Sequence, residues 1–362
     1  MAEPLKNQFF QRPFFETLSS KITSEDSSWS SEKFFGLLYD NDWESIELKQ
    51  RLKHASLSLG KCLPSQYEDA LKILMKICDH FSGFDGMLFS EYVMDHGLEH
   101  PEVSLEALEL FTQIGSAEFA IRPFILEHEE ITMKKMRAWS KHENLHVRRL
   151  ASEGSRPRLP WAPALPKFKK DASQVILILE NLKDDPELYV RKSVANNLND
   201  ISKDHPDVVV ELMSAWNLNA SKDRSWIVKQ ALRSLVKDGN TGALSILGFE
   251  KVEAKIEDFE APSNVTFGDK FRFSFELTNP TKKDAQFLVD YVVFHQKANG
   301  TLSPKVFKIG SYKIEGKGRR KIEKQHAIIP ISTRKYYSGE HKIAIQVNGE
   351  ILQELPFTLK ID

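Results

Sequence analysis

A short helical motif recurs along the middle of the chain and constrains its fold more than any other feature. The segments LHVRRL (145–150) and LYVRKSV (188–194) carry similar residues in the same order, and WIVKQA (226–231) is a looser third copy. The corresponding Val147 and Val190 are 43 residues apart, and the third copy follows after 37 more, as expected for HEAT-type helical repeats. Such repeats stack helix pairs into a curved solenoid whose concave face binds extended partners.

Composition predicts an ordinary globular protein with two domains. The chain has 362 residues, more than the roughly 100–200 typical of one domain. Hydrophobic residues make up 41% and charged residues 28%, which argues against an intrinsically disordered chain. No apolar run approaches the roughly 18 residues of a membrane span, and the first residues form no secretion signal, so we expect an intracellular location. Cys62 and Cys78 are too few for a disulfide framework or a cysteine zinc site.

The net charge of −1 hides two basic regions. Between Arg122 and Lys170 there are 12 bases and 5 acids, and between Asp258 and Asp362 there are 17 bases and 12 acids. Local fields rather than net charge steer a polyanion to its binding face, so both regions are compatible with a nucleic-acid partner. Lysines scattered over solvated faces would give the same counts, and charge alone leaves both interpretations open.

The chain changes character near residue 255. Before that point apolar residues recur at helical spacing, which predicts helices. Beyond it, residues 271–277 alternate apolar with polar, which predicts a half-buried strand, and Asn348 with Gly349 is the strongest short hairpin signal. We therefore predict a mainly α chain, with a HEAT-like helical-repeat solenoid over residues 1–255 and a small all-β immunoglobulin-like sandwich over residues 256–362.

An irregular segment lies between the first two copies of the motif. Residues 150–163 read LASEGSRPRLPWAP, and their glycine and prolines predict a stiff loop running from a helix end. A plain connector would be rich in Ser, Asp, Asn and Gly, whereas this one carries Glu153, two arginines and Trp161. That content suits a binding or catalytic site. A rigid linker with Trp161 packed into the core is the alternative interpretation.

Two long motifs resemble the AlkC-type DNA alkylation-repair glycosylases of the HEAT-like AlkC/AlkD superfamily. They are VRRLASEGSRPRLPW (147–161) and VRKSVANNLNDISKDHP (190–206). The similarity covers the helical part, roughly residues 5–250, and the sandwich that follows resembles the subgroup with a C-terminal immunoglobulin-like domain. The related AlkD proteins share the fold but lack this arrangement of acids.

The resemblance implies a monofunctional DNA glycosylase of base excision repair. Its substrates would be cationic bases methylated at N3, chiefly 3-methyladenine and 3-methylcytosine, excised from double-stranded DNA without flipping of the damaged base. The sandwich would assist DNA binding. We further expect a monomer without a cofactor, located in the bacterial cytoplasm at the nucleoid.

The chemistry of such a substrate fits the residue types in the motifs. Methylation at N3 places positive charge on the base and weakens the glycosidic bond, so the leaving group needs no general acid, unlike that of an ordinary glycoside. Carboxylates can oppose the positive charge that develops on the sugar and can accept a proton from water. An aromatic face adds cation–π attraction of roughly 0.5–2 kcal/mol, and arginines and lysines hold the flanking phosphates.

The resemblance assigns the catalytic group to Asp200, Glu153, Glu118 and Trp161. Asp200 is the first choice for orienting water, Glu153 lies on the neighbouring repeat, and Glu118 lies one repeat earlier. Trp161 would lie against the deoxyribose or the lesion. Taken singly, Asp200 could cap a turn and Glu118 could lie on a solvated face. Their placement in three successive repeats favours catalysis.

Nine basic residues are candidate DNA contacts, six in the helical part and three in the sandwich. They are Arg148, Arg149, Arg156, Arg158, Arg191 and Lys192, followed by Lys317, Arg319 and Arg320. Of these, Arg149, Arg156 and Lys192 are the better phosphate candidates. Arg148 and Arg191 follow the motif valine, where HEAT repeats often form a structural salt bridge to the next repeat. Residues 316–321 read GKGRRK, which predicts a basic turn between strands, and a solvated turn would equally explain the three sandwich residues.

We predict no metal or cofactor site. His96 and His100 have the spacing of metal ligands on a helix, but Gly97 and Pro101 interrupt that helix and no third ligand accompanies them. The chain contains neither a phosphate-binding loop motif nor a dinucleotide fingerprint. No isolated lysine flanked by apolar residues stands out as a Schiff-base nucleophile, so monofunctional hydrolysis is favoured.

Two alternatives stay open. One is a non-enzymatic HEAT scaffold that binds DNA or protein, since such solenoids serve most often as binding surfaces and a fold does not fix a function. A pure scaffold for DNA would have no use for Glu153 and Asp200 beside phosphates. The other is a glycosylase with a different lesion range, such as 7-methylguanine, because lesion choice depends on the fine placement of side chains.

Overall fold

The computed structural model describes residues 5–40, 42–332 and 334–361, which divide into two units. The first unit holds the chain up to residue 205 together with residues 219–231. The second holds residues 206–218 and the chain from residue 232 onward. Within the described residues, no helix is long and apolar enough to cross a membrane.

Sixteen α-helices are present in the described residues, and all but three belong to the first unit. They are α1 (Arg12–Glu25), α2 (Ser31–Leu38), α3 (Leu48–Gly60), α4 (Tyr67–Ile77), α5 (Met87–His96), α6 (Pro101–Phe111), α7 (Ile121–Glu127), α8 (Glu129–Trp139), α9 (Leu145–Gly154), α10 (Pro166–Lys170), α11 (Ser173–Leu182), α12 (Leu188–Ile201), α13 (Pro206–Asn217), α14 (Lys222–Ala231), α15 (Arg233–Lys237) and α16 (Thr241–Ile246). Helices α13, α15 and α16 belong to the second unit.

The recurring motif occupies equivalent helices of the first unit. Its first two copies begin α9 and α12 at their first residues, and the third lies in α14. Val147, Val190 and Ile227 are each fully buried, because one residue in every turn points between neighbouring helices. Helix α9 packs against α12, and α12 packs against α14, so the copies form consecutive layers. The predicted helical-repeat architecture is confirmed.

In the part of the second unit that the structure describes, eight strands form a two-layer β-sandwich. They are β1 (Lys255–Glu260), β2 (Asn264–Thr266), β3 (Lys270–Thr278), β4 (Ala285–Gln296), β5 (Leu302–Ile314), β6 (Arg319–Ala327), β7 (Gly339–Val347) and β8 (Glu350–Lys360). One sheet has the order β1-β3-β6, and the other has the order β2-β8-β7-β4-β5. All neighbours are antiparallel except β2 and β8.

The alternation in the sequence sets the core of the sandwich. Phe271, Phe273 and Phe275 on β3 are buried, and the residues between them are exposed or half-buried. The predicted hairpin joins β7 to β8 through Asn348 and Gly349, whose φ angles are 45° and 84°. Positive φ at both central positions is what a two-residue type I′ turn requires. The predicted sandwich is therefore confirmed.

The second unit also contains a helical cover. Leu288 and Val292 lie on the face of β4 turned away from the core, yet they are only 4% and 2% exposed. Nε2 of Gln346 donates to the carbonyl of Lys237 at 3.0 Å, which joins β7 to α15. The predicted boundary near residue 255 coincides with the start of β1, but helices α13, α15 and α16 group with the strands rather than with the repeats.

The irregular segment begins later than its sequence suggests. We expected a loop from Leu150 onward, but α9 continues to Gly154, because residues 150–153 contain no helix breaker. A Cβ on Gly154 would lie 2.5 Å from Cγ2 of Ile121, so only glycine fits at this helix end. The difference places Glu153 in the last turn of a helix instead of a loop.

Candidate active site

The three predicted carboxylates come together along one side of the first unit. Glu118 lies in the turn before α7, Glu153 in the last turn of α9 and Asp200 near the end of α12. Glu153 is 6% exposed and Asp200 is 2% exposed, while the Glu118 side chain is 15% exposed. A charged carboxylate so far from water is costly unless opposite charges and hydrogen-bond donors surround it.

Arg156 supplies the opposite charge for two of them. Its Nε donates to Oδ2 of Asp200 at 2.8 Å, and its Nη1 donates to Oε1 of Glu153 at 2.6 Å. The Arg156 residue is itself only 8% exposed. Burial lowers the pKa of its guanidinium, but the two carboxylates outweigh that effect and raise the pKa above its ordinary value. Lys203 completes the pairing with a contact of 3.1 Å to Oδ1 of Asp200.

Arg149 joins the third carboxylate to the same set. Its Nη1 lies 2.6 Å from Oε2 of Glu118 and 3.0 Å from Oγ of Ser116, and its Nη2 lies 4.0 Å from Oε1 of Glu153. Its guanidinium also stacks over the ring of Tyr189, 4.6 Å from the ring centre. Burial lowers the Arg149 pKa, and Glu118 with Glu153 more than reverses that shift.

These residues form an alternating row of charges, which we call the carboxylate row. Its members, in spatial order, are Glu118, Arg149, Glu153, Arg156, Asp200 and Lys203. Within the described residues, the second carboxyl oxygen of Glu118 and that of Glu153 make no hydrogen bond. Both oxygens of Asp200 meet a cation, and each keeps a lone pair that can accept from water. The row can therefore hold ionised acceptors in fixed positions.

Buried polar side chains fix the two helices that carry the row. Oγ of Ser193 lies 2.9 Å from Oγ of Ser152, and Nδ2 of Asn197 donates to the Ser152 carbonyl at 2.7 Å. All three are at most 2% exposed. Because they join α9 to α12 at one register, they set the separation of Glu153 from Asp200. Serine and asparagine within an otherwise apolar helix face are the sequence signal that could have identified them.

The loop after α9 is held by a residue that sequence reasoning counted only as a base. Arg122 is 2% exposed; its Nη1 donates to the carbonyls of Gly154 at 3.0 Å and Arg156 at 2.9 Å, and its Nε donates to the Pro163 carbonyl at 3.0 Å. Burial, with a smaller contribution from Arg156, lowers the pKa of Arg122 to about 10. Three carbonyls on one guanidinium leave this loop little freedom, so Arg122 is a positioning residue.

The same loop carries Trp161 at the surface. Its φ is 64°, a conformation rarely adopted by residues other than glycine, and it is 68% exposed. Nζ of Lys49 donates to its carbonyl at 2.5 Å. The alternative of a tryptophan packed into the core does not hold. An exposed indole on a strained, anchored backbone suggests a contact surface for a ligand.

Arg148 and Arg191 make the same structural contacts in successive repeats. Arg148 pairs with Asp185 at 2.6 Å and donates to the carbonyls five and six residues before it, at 2.7 and 3.0 Å. Arg191 pairs with Asp223 at 3.1 Å and donates to the equivalent carbonyls at 2.7 and 2.9 Å. These contacts favour the structural interpretation of both arginines.

Two further bases of the first unit face solvent. Lys192 is exposed and forms no ion pair within the described residues. Arg158 makes a two-pronged contact with Asp204 at 2.6 and 3.1 Å, and its side chain is 36% exposed. Their exposure leaves these two able to meet an anion, whereas Arg149 and Arg156 are occupied by the carboxylate row.

The basic residues of the sandwich lie at the β5–β6 turn and on β6. Lys317, with a φ of 62°, donates through Nζ to the Pro280 carbonyl. Arg319 contacts Glu276 at 3.3 Å, and its side chain is 69% exposed. Arg320 stacks 4.5 Å from the centre of the Tyr312 ring. We expected a turn from 316 to 321, but β6 begins at Arg319, so both arginines lie on a strand.

Two family models match this chain. One, described as a DNA alkylation repair enzyme, matches residues 115–235, which include the carboxylate row. The other, described as the C-terminal Ig-like domain of the uncharacterised protein YhaZ, matches residues 255–361. The two matches cover the repeat helices and the β-sandwich respectively.

Two relatives match over nearly the whole chain. A Bacillus subtilis (strain 168) protein described as uncharacterized protein YhaZ is 39% identical over 352 residues, covering 97% of this chain and 98% of that protein. The structure of the Pseudomonas fluorescens alkylpurine DNA glycosylase AlkC, bound to DNA containing an abasic site analog, is 37% identical, with a TM-score of 0.93 over 99% of this chain and 100% of that chain. The chain therefore belongs to the AlkC-type DNA alkylation-repair glycosylases that carry a C-terminal immunoglobulin-like domain.

Proposed function

We propose that this protein is a monofunctional glycosylase that hydrolyses the N-glycosidic bond of cationic, N3-methylated bases in double-stranded DNA. The substrates are 3-methyladenine and 3-methylcytosine, and the damaged base is not flipped out. The observation that carries the proposal is the carboxylate row, in which Arg156 holds Glu153 and Asp200 within 2.8 Å. The Pseudomonas relative is by its description a glycosylase for alkylpurines in DNA.

In this proposal the row acts on the sugar rather than on the leaving base. A cationic base departs neutral, so no proton has to be delivered to it. As the bond breaks, positive charge builds on the deoxyribose, and the ionised carboxylates of Glu118 and Glu153 lie ready to stabilise it. Asp200 orients the attacking water and accepts its proton. Because Arg149 and Arg156 fix these carboxylates in advance, little reorganisation is needed during the reaction.

The exposed groups around the row would hold the substrate. Trp161 lies against the deoxyribose or the lesion, while Lys192 and Arg158 contact phosphates on either side of it. Arg149 and Arg156, which we first considered as phosphate contacts, are assigned to positioning the carboxylates. Lys317, Arg319 and Arg320 extend the DNA contact through the sandwich. The protein acts as a monomer on genomic DNA, in the bacterial cytoplasm.

Single-turnover excision from duplexes carrying 3-methyladenine, 3-methylcytosine or 7-methylguanine tests the proposal. Wild type is compared with Asp200→Asn and Glu153→Gln, without metal or added cofactor. Removing one preorganised carboxylate should slow release by about 10²–10³-fold, at similar affinity for DNA. Asp223→Asn is the matched control, since this acid pairs with Arg191 outside the row and should leave the rate little changed.

Two outcomes would redirect the proposal. Release of 7-methylguanine at the rate of 3-methyladenine would replace the N3 specificity with a broader range. No release from any duplex, with DNA binding intact, would favour the non-enzymatic scaffold instead.

A further inference from the structure

A cavity of about 410 Å³ opens beside the Glu118 end of the carboxylate row. Its walls come from four places in the first unit: the turns at 82–87 and 112–116, helix α9 and the start of α12. The lining side chains that matter here are Phe84, Met87, Ile114, His146, Arg149 and Tyr189. The mechanism above uses only Arg149 from this set, and only for its contact with the carboxylates.

The two turns are fixed against each other by a close backbone contact. A Cβ on Gly115 would lie 2.6 Å from the Met87 nitrogen, and a Cβ on Gly86 would lie 2.7 Å from the Ile114 carbonyl oxygen. Only glycine at both positions permits this approach. The Phe84 ring is held from behind by Phe9, at 4.6 Å between ring centres. The apolar side of the cavity is therefore preformed rather than assembled on binding.

The opposite side is aromatic and carries almost no free charge. Arg149 stacks over Tyr189 and is already neutralised by Glu118 and Glu153. His146 meets the edge of the Tyr189 ring at 5.7 Å. Burial, reinforced by Arg149, lowers the pKa of His146 below its ordinary value, which favours the neutral imidazole. Among the residues that the structure describes, no carboxylate lines the cavity.

These features exclude two classes of DNA group as occupants. A phosphate would meet no unpaired cation, because Arg149 is neutralised within the protein. A cationic N3-methylated base would meet no carboxylate and would lie next to a guanidinium. A flat, neutral, aromatic group matches both walls, since it can stack on Tyr189 and pack against Met87 and Ile114. The volume lies within the roughly 300–1,000 Å³ of ordinary small-molecule sites.

We propose that this cavity binds a neutral nucleobase during repair. The base has one of two sources: an undamaged nucleotide unstacked from the duplex next to the lesion, or the excised base, which becomes neutral once the glycosidic bond breaks. The inference rests on the proposed function, because that function brings DNA to the neighbouring carboxylate row. It adds a binding site for a nucleobase beside the carboxylate row, which itself acts on the sugar.

Fluorescence of 2-aminopurine distinguishes the sources. The full-length protein is bound to duplexes that contain a tetrahydrofuran abasic analogue, with 2-aminopurine placed in turn 5′, 3′ and opposite to it. An unstacked neighbour predicts a several-fold rise in emission at one position. Retention of the excised base predicts no rise at any position, together with saturable binding of free 3-methyladenine to the protein–DNA complex in equilibrium dialysis.

Variants that fill the cavity test whether either base binds in it. Ile114→Trp and Ser82→Trp place an indole in it from different turns, and either signal should fall about tenfold. Leu177→Trp adds the same indole at a site on α11 that is already 46% exposed, and it should leave the signal intact. Unfolding is excluded by matching the circular dichroism and melting temperature of all four proteins.

Two results would overturn the inference. One is the absence of both signals in the wild type. The other is an unchanged signal in both filled variants. Neither measurement requires catalysis, so failure of the proposed function would show separately, as absent excision by a protein that still unstacks or retains a base.

Discussion

The carboxylate row and the β-sandwich with its helical cover both bury titratable side chains, but within the described residues only the row pairs them with opposite charges. Glu153 and Asp200 meet arginine or lysine at 2.6–3.1 Å. In the sandwich, Asp290 is 4% exposed and forms no ion pair within the described residues. His295 and His326 are 5% and 7% exposed, and each has one ring nitrogen with no hydrogen-bond partner among the described residues.

The contrast separates two consequences of burial. In the sandwich, burial raises the pKa of Asp290 to about 6 and lowers the pKa of His295 to about 3 and that of His326 to about 4. Each of these groups is pushed toward its neutral form. In the row, each acid has a cation within 2.6–3.1 Å, so its charge is paired inside the protein. A buried titratable group that has an oppositely charged partner has its charge compensated within the protein, whereas a buried group without such a partner is shifted toward its neutral form.

The largest expected effect comes from removing the partner in the row. Arg156→Met leaves Glu153 and Asp200 buried with their shared counter-charge gone, and breaking such a pair costs about 3–5 kcal/mol. Urea unfolding at pH 7 should show this loss, and excision should fall with it. Arg224→Met is the matched control, because this arginine pairs with Asp184 at the surface, outside the row. If the Arg156→Met protein were as stable as the control, Arg156 would not offset the cost of burying Glu153 and Asp200.

The histidines of the sandwich should make the second unit sensitive to acid. Their folded pKa values lie below the ordinary 6.5, so the unfolded chain binds more protons between those values, and stability is lost as pH falls from about 6.5 toward 4. Between pH 7.5 and pH 5 the loss amounts to about 2 kcal/mol for each histidine. Scanning calorimetry of wild type and His295→Gln at pH 7.5 and pH 5 measures it.

The variant should show a shallower fall in stability than wild type. His80→Gln is the control, since that imidazole has a side chain 46% exposed and belongs to the first unit. Parallel pH profiles for all three proteins would mean that the buried imidazoles titrate as they do in water.

Asp290 should change the stability of the second unit in the opposite direction, lowering it as the pH rises. Its folded pKa of about 6 exceeds the ordinary 3.8, so its carboxylate lowers stability as pH rises between those values, and the penalty is complete above about pH 6. Asp290→Asn should therefore match wild type near pH 3.8 and gain about 2–3 kcal/mol at pH 8. Asp284→Asn, at an exposed pair with Lys313, should gain nothing. A destabilised Asp290→Asn protein at pH 8 would show that Asp290 has a favourable partner.

The smallest effects should come from the exposed bases of the sandwich. Arg319→Ala and Arg320→Ala should change the free energy of unfolding by less than about 0.5 kcal/mol. If these side chains contact DNA phosphates, each variant should reduce the slope of log affinity against log salt by about 1. Lys305→Ala on β5 is a control at another exposed base. An unchanged salt slope would place the sandwich bases outside the DNA contact.

Much of the fold could be predicted from local patterns. The repeat motif identified α9, α12 and α14, and the alternation of apolar with polar residues identified β3. Asn348 and Gly349 marked the hairpin, because few other pairs tolerate two positive φ angles. The end of α9 was misplaced by five residues, since the prolines of the following loop are stronger signals than the helical run before them.

The three acids and the exposed Trp161 could be predicted as a set, but not their partners. Arg149 and Arg156 were candidates for phosphate, and the folded chain places them among carboxylates. Arg122 was only one base in a basic region. Its role depends on carbonyls 32 to 41 residues away, which no local pattern reveals. The helical cover of the sandwich was missed for the same reason.

The sequence by itself determined which faces of each helix and strand are apolar, where turns occur, and that acids and bases recur on successive repeats. These features follow from the conformational preferences of neighbouring residues and from the spacing at which apolar residues recur, and both are local properties of the chain. The tertiary structure alone decided which charge meets which. Arg156 reaches an acid 44 residues away only because α9 and α12 pack in one register. Coulombic attraction depends on that distance in space and not on separation along the chain.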